Sequence, residues 1–192
     1  IAIVLVGDGQ LRDQIAQEQE RRGLEDLVLL DLMPKTDLVP LIQASYVSLV
    51  PLRGAPILDT SSPNKLFESL AAGKPVIQNT KGWIRTLLHD NGCGYTVDPD
   101  DETELVDRLI QLADDPAERE RLGANARRLA EAEFDQDVLS ARYLAVIDRA
   151  AILDSGGRNG LLALLASHAG NALVCMTIPR RDDRLPDLGT AG

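Results

Sequence analysis

The chain is poor in aromatic residues and cysteines, and it has fewer basic than acidic residues. Aromatic residues make up 3% of its 192 residues, so its core must be built from aliphatic side chains. Its two cysteines, Cys93 and Cys175, lie far apart and indicate no disulfide framework, which favours a reducing cytoplasm. With 20 basic against 30 acidic residues, the net charge of −10 argues against a broad nucleic-acid or anionic-membrane surface.

The chain also lacks a long apolar run, a metal-ligand pattern and a visible secretory signal. The apolar stretches 161–166 and 172–178 are each too short to span a membrane and are separated by polar residues. His89 and His168 have no metal-ligand spacing, so no bound metal is expected. The sequence starts directly on a strand pattern, which favours a fragment of a longer protein.

The order of strands and helices is the clearest pattern that is present. Apolar runs at residues 1–6 and 27–30 are typical of strands that are buried on both faces. Further strands are expected at residues 46–50, 76–79 and 95–97, and helices at 10–22, 37–44, 64–72, 83–88, 103–113, 117–133 and 136–153. This alternation predicts an α/β domain with a doubly wound parallel sheet over residues 1–154, followed by a tail of uncertain structure at 155–192.

The segment from Thr60 to Ile77 contains the clearest candidate binding residues. Ser62 is a good N-cap and Pro63 a good first helical residue. The amides of Asn64, Lys65 and Leu66 would then be unpaired donors at the positive end of the helix dipole, which is a ready anion site.

Glu68 follows one turn later, where its carboxylate can accept hydrogen bonds from a diol such as the hydroxyls of a ribose. Loops that follow parallel strands share one edge of the sheet, so Gly7-Asp8-Gly9 and Met33-Pro34 are expected beside this segment. Phosphate donors and a diol acceptor at one edge suggest a nucleotide site.

These motifs together resemble the donor-binding signature of the retaining GT-B glycosyltransferases, in particular family 4. The resemblance covers residues 1–150 and includes Asn91-Gly92-Cys93-Gly94-Tyr95. That family typically carries two glutamates separated by seven residues; Glu68 matches the second, whereas Thr60 stands at the position of the first. Pro63-Asn64-Lys65 and Gly82-Trp83 are most similar to bacterial transferases of surface-polysaccharide sugars.

The resemblance implies the C-terminal, donor-binding half of a two-domain enzyme, without its first strand and helix. Such an enzyme transfers sugar from a nucleotide-diphosphate donor, expected to be UDP-linked, with retention and without a bound metal or cofactor. A saccharide or lipid-linked acceptor would bind a missing N-terminal domain. The full-length protein would lie in the cytoplasm or peripherally at the inner membrane, and this chain alone would be inactive.

The resemblance also assigns roles to individual residues. Catalytic roles fall to Asn64 and Lys65, whose amides would hold the leaving diphosphate, and to Thr60, whose hydroxyl would meet the donor sugar. The residues expected to bind the nucleotide are Gly7, Asp8, Met33, Pro34, Ser61, Ser62 and Glu68.

Other interpretations remain open from the sequence. Gly7-Asp8-Gly9 with Asp31 at the end of the second strand could begin an NAD site, although Arg12 occupies the third glycine position. Trp83 could line the donor site or pack in the core, and Asp59 could replace the missing first glutamate. At the level of the whole protein, the alternatives are a GT-B-fold sugar-nucleotide epimerase and a non-catalytic nucleotide-binding or scaffold domain.

Overall fold

The computed structural model describes residues 1–53 and 55–154. The chain divides into two compact units, Ile1–Leu139 and Ser140–Gly192, and the sheets and the candidate site belong to the first. The strands are β1 Ile3–Val6, β2 Leu27–Leu30, β3 Ser48–Val50, β4 Val76–Gln78 and β5 Gly94–Thr96. The helices are α1 Arg12–Arg22, α2 Lys35–Ala44, α3 Asn64–Ala71, α4 Trp83–Asn91, α5 Glu102–Asp114, α6 Pro116–Leu129 and α7 Gln136–Asp154, with a 3₁₀ helix at Pro56–Thr60 and a π-helical turn at Ala130–Phe134.

All strand pairs in these ranges are parallel, which confirms the α/β class. β1 pairs with β2, with Ile3 opposite Leu27, and the other three strands follow the order β3-β4-β5. The expected single sheet is therefore present as two sheets, one of two strands and one of three. In both sheets the chain returns through helices, as parallel pairing requires.

The exposure of β1 differs from the sequence-based expectation. Its continuous apolar run predicted burial on both faces, but Ile3, Val4 and Leu5 are 37–42% exposed. Within the described residues β1 has a strand neighbour on one edge only, β2. An apolar strand reaches full burial only when neighbouring elements cover its edges and both its faces, and the described elements leave β1 partly uncovered.

The core lies around β4 and α3, not around β1. Leu66 and Leu70 of α3 are fully buried, as are Val76 of β4 and Ile84 of α4. Together with the buried Val50, Leu88, Cys93, Ala126, Leu129 and Ala130 they form one apolar cluster. Helix α3 is therefore anchored from beneath, which fixes the position of its first turn at the edge of the sheet.

Several element boundaries differ from those expected. Helix α2 begins at Lys35 and not at residue 37, and α4 extends to Asn91, where Gly92 adopts a left-handed conformation. The 3₁₀ helix Pro56–Thr60 lies between the strand expected at residues 46–50 and the helix expected at 64–72, where no regular element was predicted. The expectations for residues 155–192 lie outside the described residues. Over residues 1–53 and 55–154, no helix has the length and apolarity needed to cross a membrane.

Candidate functional site

Two ion pairs connect the loops at the carboxyl ends of β1, β2 and β3. Arg12, at the start of α1, pairs with Asp31 just beyond the end of β2. Lys35, at the start of α2, pairs with Glu68 of α3, with 2.9 Å between Nζ and Oε1. The structure thus brings together the glycine turn, the Met33-Pro34 loop and α3, as expected for loops that follow parallel strands.

The Arg12–Asp31 pair bears on the NAD alternative. An NAD site would use an acid at the end of the second strand to bind ribose hydroxyls. Here the Asp31 carboxylate is engaged by the guanidinium of Arg12, which stands in place of the third glycine. This arrangement disfavours a dinucleotide site of that kind.

The first turn of α3 differs from the expectation in its capping. Pro63 and not Ser62 is the N-cap, because Pro63 has an extended conformation and the helix begins at Asn64. No side chain caps this end, so the prediction of a Ser62 cap was wrong. The amide of Leu66 donates to the carbonyl of Pro63 at 3.0 Å, which leaves the amides of Asn64 and Lys65 as the donors available to a ligand.

Glu68 lies one turn further along α3, with its side chain 31% exposed. Oε1 contacts the Lys35 ammonium. A carboxylate has about four acceptor positions, so Glu68 keeps the capacity to accept hydrogen bonds from a diol. The uncapped helix start and this carboxylate lie on consecutive turns of one helix.

The side chain of Lys65 is directed toward the segment that follows β3. Its Nζ donates to the carbonyl of Pro51 at 3.1 Å. Partial burial of the ammonium lowers the pKa of Lys65 below its usual value. The positive charge therefore lies near the end of β3, beside the first turn of α3.

Thr60 and Asp59 are held by local contacts. The Thr60 hydroxyl donates to the carbonyl of Ile57 at 2.9 Å, and its oxygen retains acceptor capacity. The Asp59 carboxylate accepts the amide of Lys81 at 2.9 Å. This bond holds one carboxylate oxygen of Asp59 in the loop, and Asp59 keeps further acceptor positions.

Gly82 allows this close approach between the 3₁₀ helix and the start of α4. A Cβ atom at Gly82 would lie 2.0 Å from the carbonyl oxygen of Asp59. The next residue, Trp83, donates its indole N–H to the carbonyl of Ser61 at 2.9 Å and stacks on Phe67. Trp83 is packed against the core and at the same time tethers the Ser61 segment.

The remaining predicted residues lie at the same edge with few contacts. Gly7 follows β1 at φ 135°, a conformation open to glycine, and its amide donates to the Leu30 carbonyl. Asp8 and Ser62 are exposed, Met33 is half-buried and Pro34 is the N-cap of α2. The local patterns placed these residues correctly on loops that follow strands.

Sequence reasoning did not identify the contacts that hold these loops in place. Lys35 and Glu68 are far apart in sequence, and no local spacing relates them. Asn79, at the end of β4, makes two hydrogen bonds of 2.8 Å to the backbone of Leu52, one to the amide and one to the carbonyl. This side chain imitates a backbone pair and extends the β3–β4 contact into the loop.

Replacing Asn79 with aspartate is expected to destabilise the protein by about 1–3 kcal/mol, because a carboxylate oxygen would face the Leu52 carbonyl in place of an N–H donor. Chemical denaturation measures the change in the free energy of unfolding. Gln14→Glu makes the same amide-to-carboxylate change at an exposed position and should change it by less than about 0.5 kcal/mol. Equal effects of the two substitutions would contradict the role given to Asn79.

Two other candidate chemistries receive no support from the described residues. Burial raises the pKa of the Cys93 thiol to about 11, so it is not poised as a nucleophile. No group of three or more His, Cys, Asp or Glu side chains in residues 1–53 and 55–154 is arranged to hold a metal ion.

A cavity of about 290 Å³ lies at the amino ends of β3 and β4. Its lining includes Tyr46, Lys74 and Arg119. The cavity is thus at the edge of the sheet opposite to Glu68, and it contains none of the residues predicted to bind a nucleotide.

Comparisons with known proteins agree with the geometry. The family model of the group 1 glycosyl transferases matches residues 1–115. The lipopolysaccharide core biosynthesis glycosyltransferase LpsD of Rhizobium meliloti is 30% identical over 76% of this chain and 40% of its own length. The alpha-D-kanosaminyltransferase of Streptomyces kanamyceticus is 28% identical over 68% of this chain and 33% of its own length. The chain thus spans well under half of these relatives.

Solved structures show the same fold at low sequence identity. HepE from Anabaena, crystallised with UDP, is 22% identical and covers 77% of this chain and 41% of its own, with a TM-score of 0.65. WaaG, a glycosyltransferase involved in lipopolysaccharide biosynthesis, is 21% identical and covers 75% of this chain and 36% of its own, with a TM-score of 0.55. The doubly wound half of a GT-B fold is the architecture that they share with this chain.

Proposed function

This chain belongs to the group 1 glycosyl transferases, and on that basis we propose that it is the donor-binding half of a retaining enzyme whose donor is a nucleotide-diphosphate sugar. The donor would be UDP-linked, and the acceptor a saccharide or lipid-linked sugar in bacterial polysaccharide or glycoconjugate synthesis. The relatives named as LpsD and kanosaminyltransferase support a sugar-transfer reaction. The UDP complex of HepE supports the choice of nucleotide.

One observation carries the proposal. An uncapped helix start and a partly exposed glutamate lie one turn apart on α3, and the Lys35 contact brings the loop after β2 beside them. A nucleoside diphosphate has an anionic end, a diol and a base, and this edge offers a separate element for each. No other described part of the chain combines the three.

The diphosphate would bind at the first turn of α3. The amides of Asn64 and Lys65 point out of the helix start, where the helix dipole favours negative charge. In the reaction these fixed donors would stabilise the charge that develops on the leaving diphosphate. Deletion of one comparable donor from an oxyanion hole costs about 2.7–4 kcal/mol of transition-state stabilisation. The Lys65 ammonium adds a cation nearby, and we propose that the site uses no bound metal.

The nucleoside would extend from α3 toward the loop after β2. Glu68 would accept the ribose hydroxyls, while the backbone and apolar side chains of Met33 and Pro34 would hold the base. Gly7 and Asp8 would form the wall on the side of β1. Ser61 and Ser62 offer their hydroxyls to the phosphates, because neither side chain caps the helix.

The donor sugar would lie near Thr60. Its hydroxyl can make one hydrogen bond to the sugar but carries no charge, unlike the glutamate that the family usually has there. Because nucleotide sugars are cytoplasmic metabolites, the reaction would take place in the cytoplasm or at the cytoplasmic face of the inner membrane. The acceptor-binding residues would come from outside the part of the chain described here.

Donor hydrolysis and transfer assays on the full-length gene product test this function. The protein is incubated with UDP-, GDP-, ADP- and dTDP-sugars, with and without saccharide acceptors, and the nucleotide released and the anomeric configuration of the product are measured. We expect acceptor-dependent release of one nucleotide and a product that retains the donor's configuration. The 192-residue chain alone should be inactive.

Other outcomes would identify the alternatives. Conversion of the donor to an epimer without acceptor would indicate a sugar-nucleotide epimerase. Saturable nucleotide binding without turnover of any donor would indicate a non-catalytic domain. An inverted product would overturn the retaining mechanism while leaving the donor site intact.

A further inference from the structure

The ion pair between Lys35 and Glu68 joins two elements of the proposed site. Lys35 is the first residue of α2 and directly follows the Met33-Pro34 loop. Its Nζ lies 2.9 Å from Oε1 of Glu68, which belongs to α3. The contact therefore connects the loop proposed to hold the base with the carboxylate proposed to hold the ribose.

The exposure of the two partners shows that the pair contributes little to folding. The Lys35 side chain is 80% exposed and that of Glu68 is 31% exposed. Ion pairs at such exposed positions are screened by water and cost side-chain entropy, so their net contribution to stability is small. Even a small interaction energy favours those Glu68 side-chain positions in which Oε1 faces Lys35.

The pair leaves part of the carboxylate available. Among residues 1–53 and 55–154, Lys35 is the group recorded in contact with the Glu68 carboxylate, and it touches Oε1. Oε2 then remains as an acceptor for hydroxyl donors. A free glutamate side chain would instead have to lose rotamer freedom when a ligand binds.

We propose that Lys35 is a positioning residue for ribose recognition. It holds Oε1 of Glu68 so that Oε2 faces the 2′- and 3′-hydroxyls of a bound nucleotide. This inference rests on the proposed function, and it assigns to Lys35 a part in distinguishing ribonucleotides from nucleotides that lack the diol. Lys35 itself does not touch the reacting atoms.

The test compares two ligands across four proteins. Calorimetric titration gives Kd for UDP and for 2′,3′-dideoxy-UDP with the wild type, Lys35→Met, Lys35→Arg and Lys74→Met. The ratio of the two Kd values measures recognition of the diol. Lys74→Met removes the same charge at the opposite edge of the sheet, where Lys74 lines the cavity. Thermal melting confirms that all four proteins are folded.

We expect the wild type to prefer UDP by roughly tenfold or more, because hydrogen bonds to a charged carboxylate are the stronger kind. Lys35→Met should reduce this ratio at least about threefold, while Lys35→Arg and Lys74→Met retain it. If Lys35 had a purely structural role, Lys35→Met would weaken the binding of both ligands equally and leave the ratio of the two Kd values unchanged.

Two results would overturn the inference about Lys35 alone, and a third would overturn the proposed donor site as well. An unchanged ratio in Lys35→Met would show that Lys35 does not orient Glu68. Tighter UDP binding in that variant would show that Lys35 blocks the carboxylate. If the wild type binds neither ligand, the proposed donor site itself fails, and the inference about Lys35 fails with it.

Discussion

Glu68→Ala is expected to weaken UDP binding by roughly ten- to hundredfold, because the ribose hydroxyls lose a charged acceptor. The Glu68 side chain is 31% exposed, so alanine there should leave the fold intact. Titration calorimetry on the wild type and the variant measures the loss. In the full-length protein the same change should lower kcat/KM with UDP-sugar by a similar factor.

Glu120→Ala is the matched control for this prediction. Glu120 is an exposed glutamate of α6 that lines the cavity at the opposite edge of the sheet. Its replacement changes the net charge equally and should leave UDP affinity within about twofold. If both variants weaken binding to the same extent, the effect is one of overall charge, and Glu68 is not a ribose ligand.

Leu66→Ala is expected to lower the free energy of unfolding by about 2–5 kcal/mol. Leu66 is fully buried in the first turn of α3, where it packs into the cluster that contains Val50 and Val76. Total stabilities of about 5–15 kcal/mol are usual, so this loss would be a large fraction. Urea denaturation followed by circular dichroism measures it.

The same side chain anchors the anion site, because it fixes the helix turn whose amides face the ligand. Leu11→Ala provides a comparison, since Leu11 is 49% exposed and its truncation should cost less than about 0.5 kcal/mol. Similar losses for the two leucines would show that α3 is not anchored by burial of Leu66.

The sequence was sufficient to predict α3 and the edge on which it lies. The helix expected at residues 64–72 and the start signal at Pro63 are both local, and local patterns are read directly from sequence. Loops that follow parallel strands share one edge, which led us to expect Glu68 and the Met33-Pro34 loop at the same edge. The Lys35–Glu68 contact agrees with that placement.

The cap of α3 shows where local rules compete. Ser62 and Pro63 both suit a helix start, and the sequence favoured Ser62 as the cap. In the structure Pro63 has ψ 132°, which lies outside the helical range, and the first helical residue is Asn64. Because of this shift by one residue, Ser61 and Ser62 both lie before the helix, and the first amides of the helix have no side-chain cap.

Contacts between distant segments could not be predicted. The bonds from Asp59 to Lys81 and from Asn79 to Leu52 join different loops, and each depends on the three-dimensional path of the backbone. The exposure of β1 is a second example. Its apolar pattern predicts a buried strand, but the actual burial depends on which neighbouring elements cover the strand.

Amide chemical-shift mapping with UDP tests the central claim most directly. The ¹⁵N-labelled chain is titrated with UDP, and the perturbed amides are assigned along the sequence. We expect saturable shifts that are largest at Asn64 and Lys65, with a second group at Met33 and Lys35. Saturable shifts confined to the cavity around Tyr46 and Lys74, or no saturable shifts at all, would contradict a nucleotide site at the start of α3.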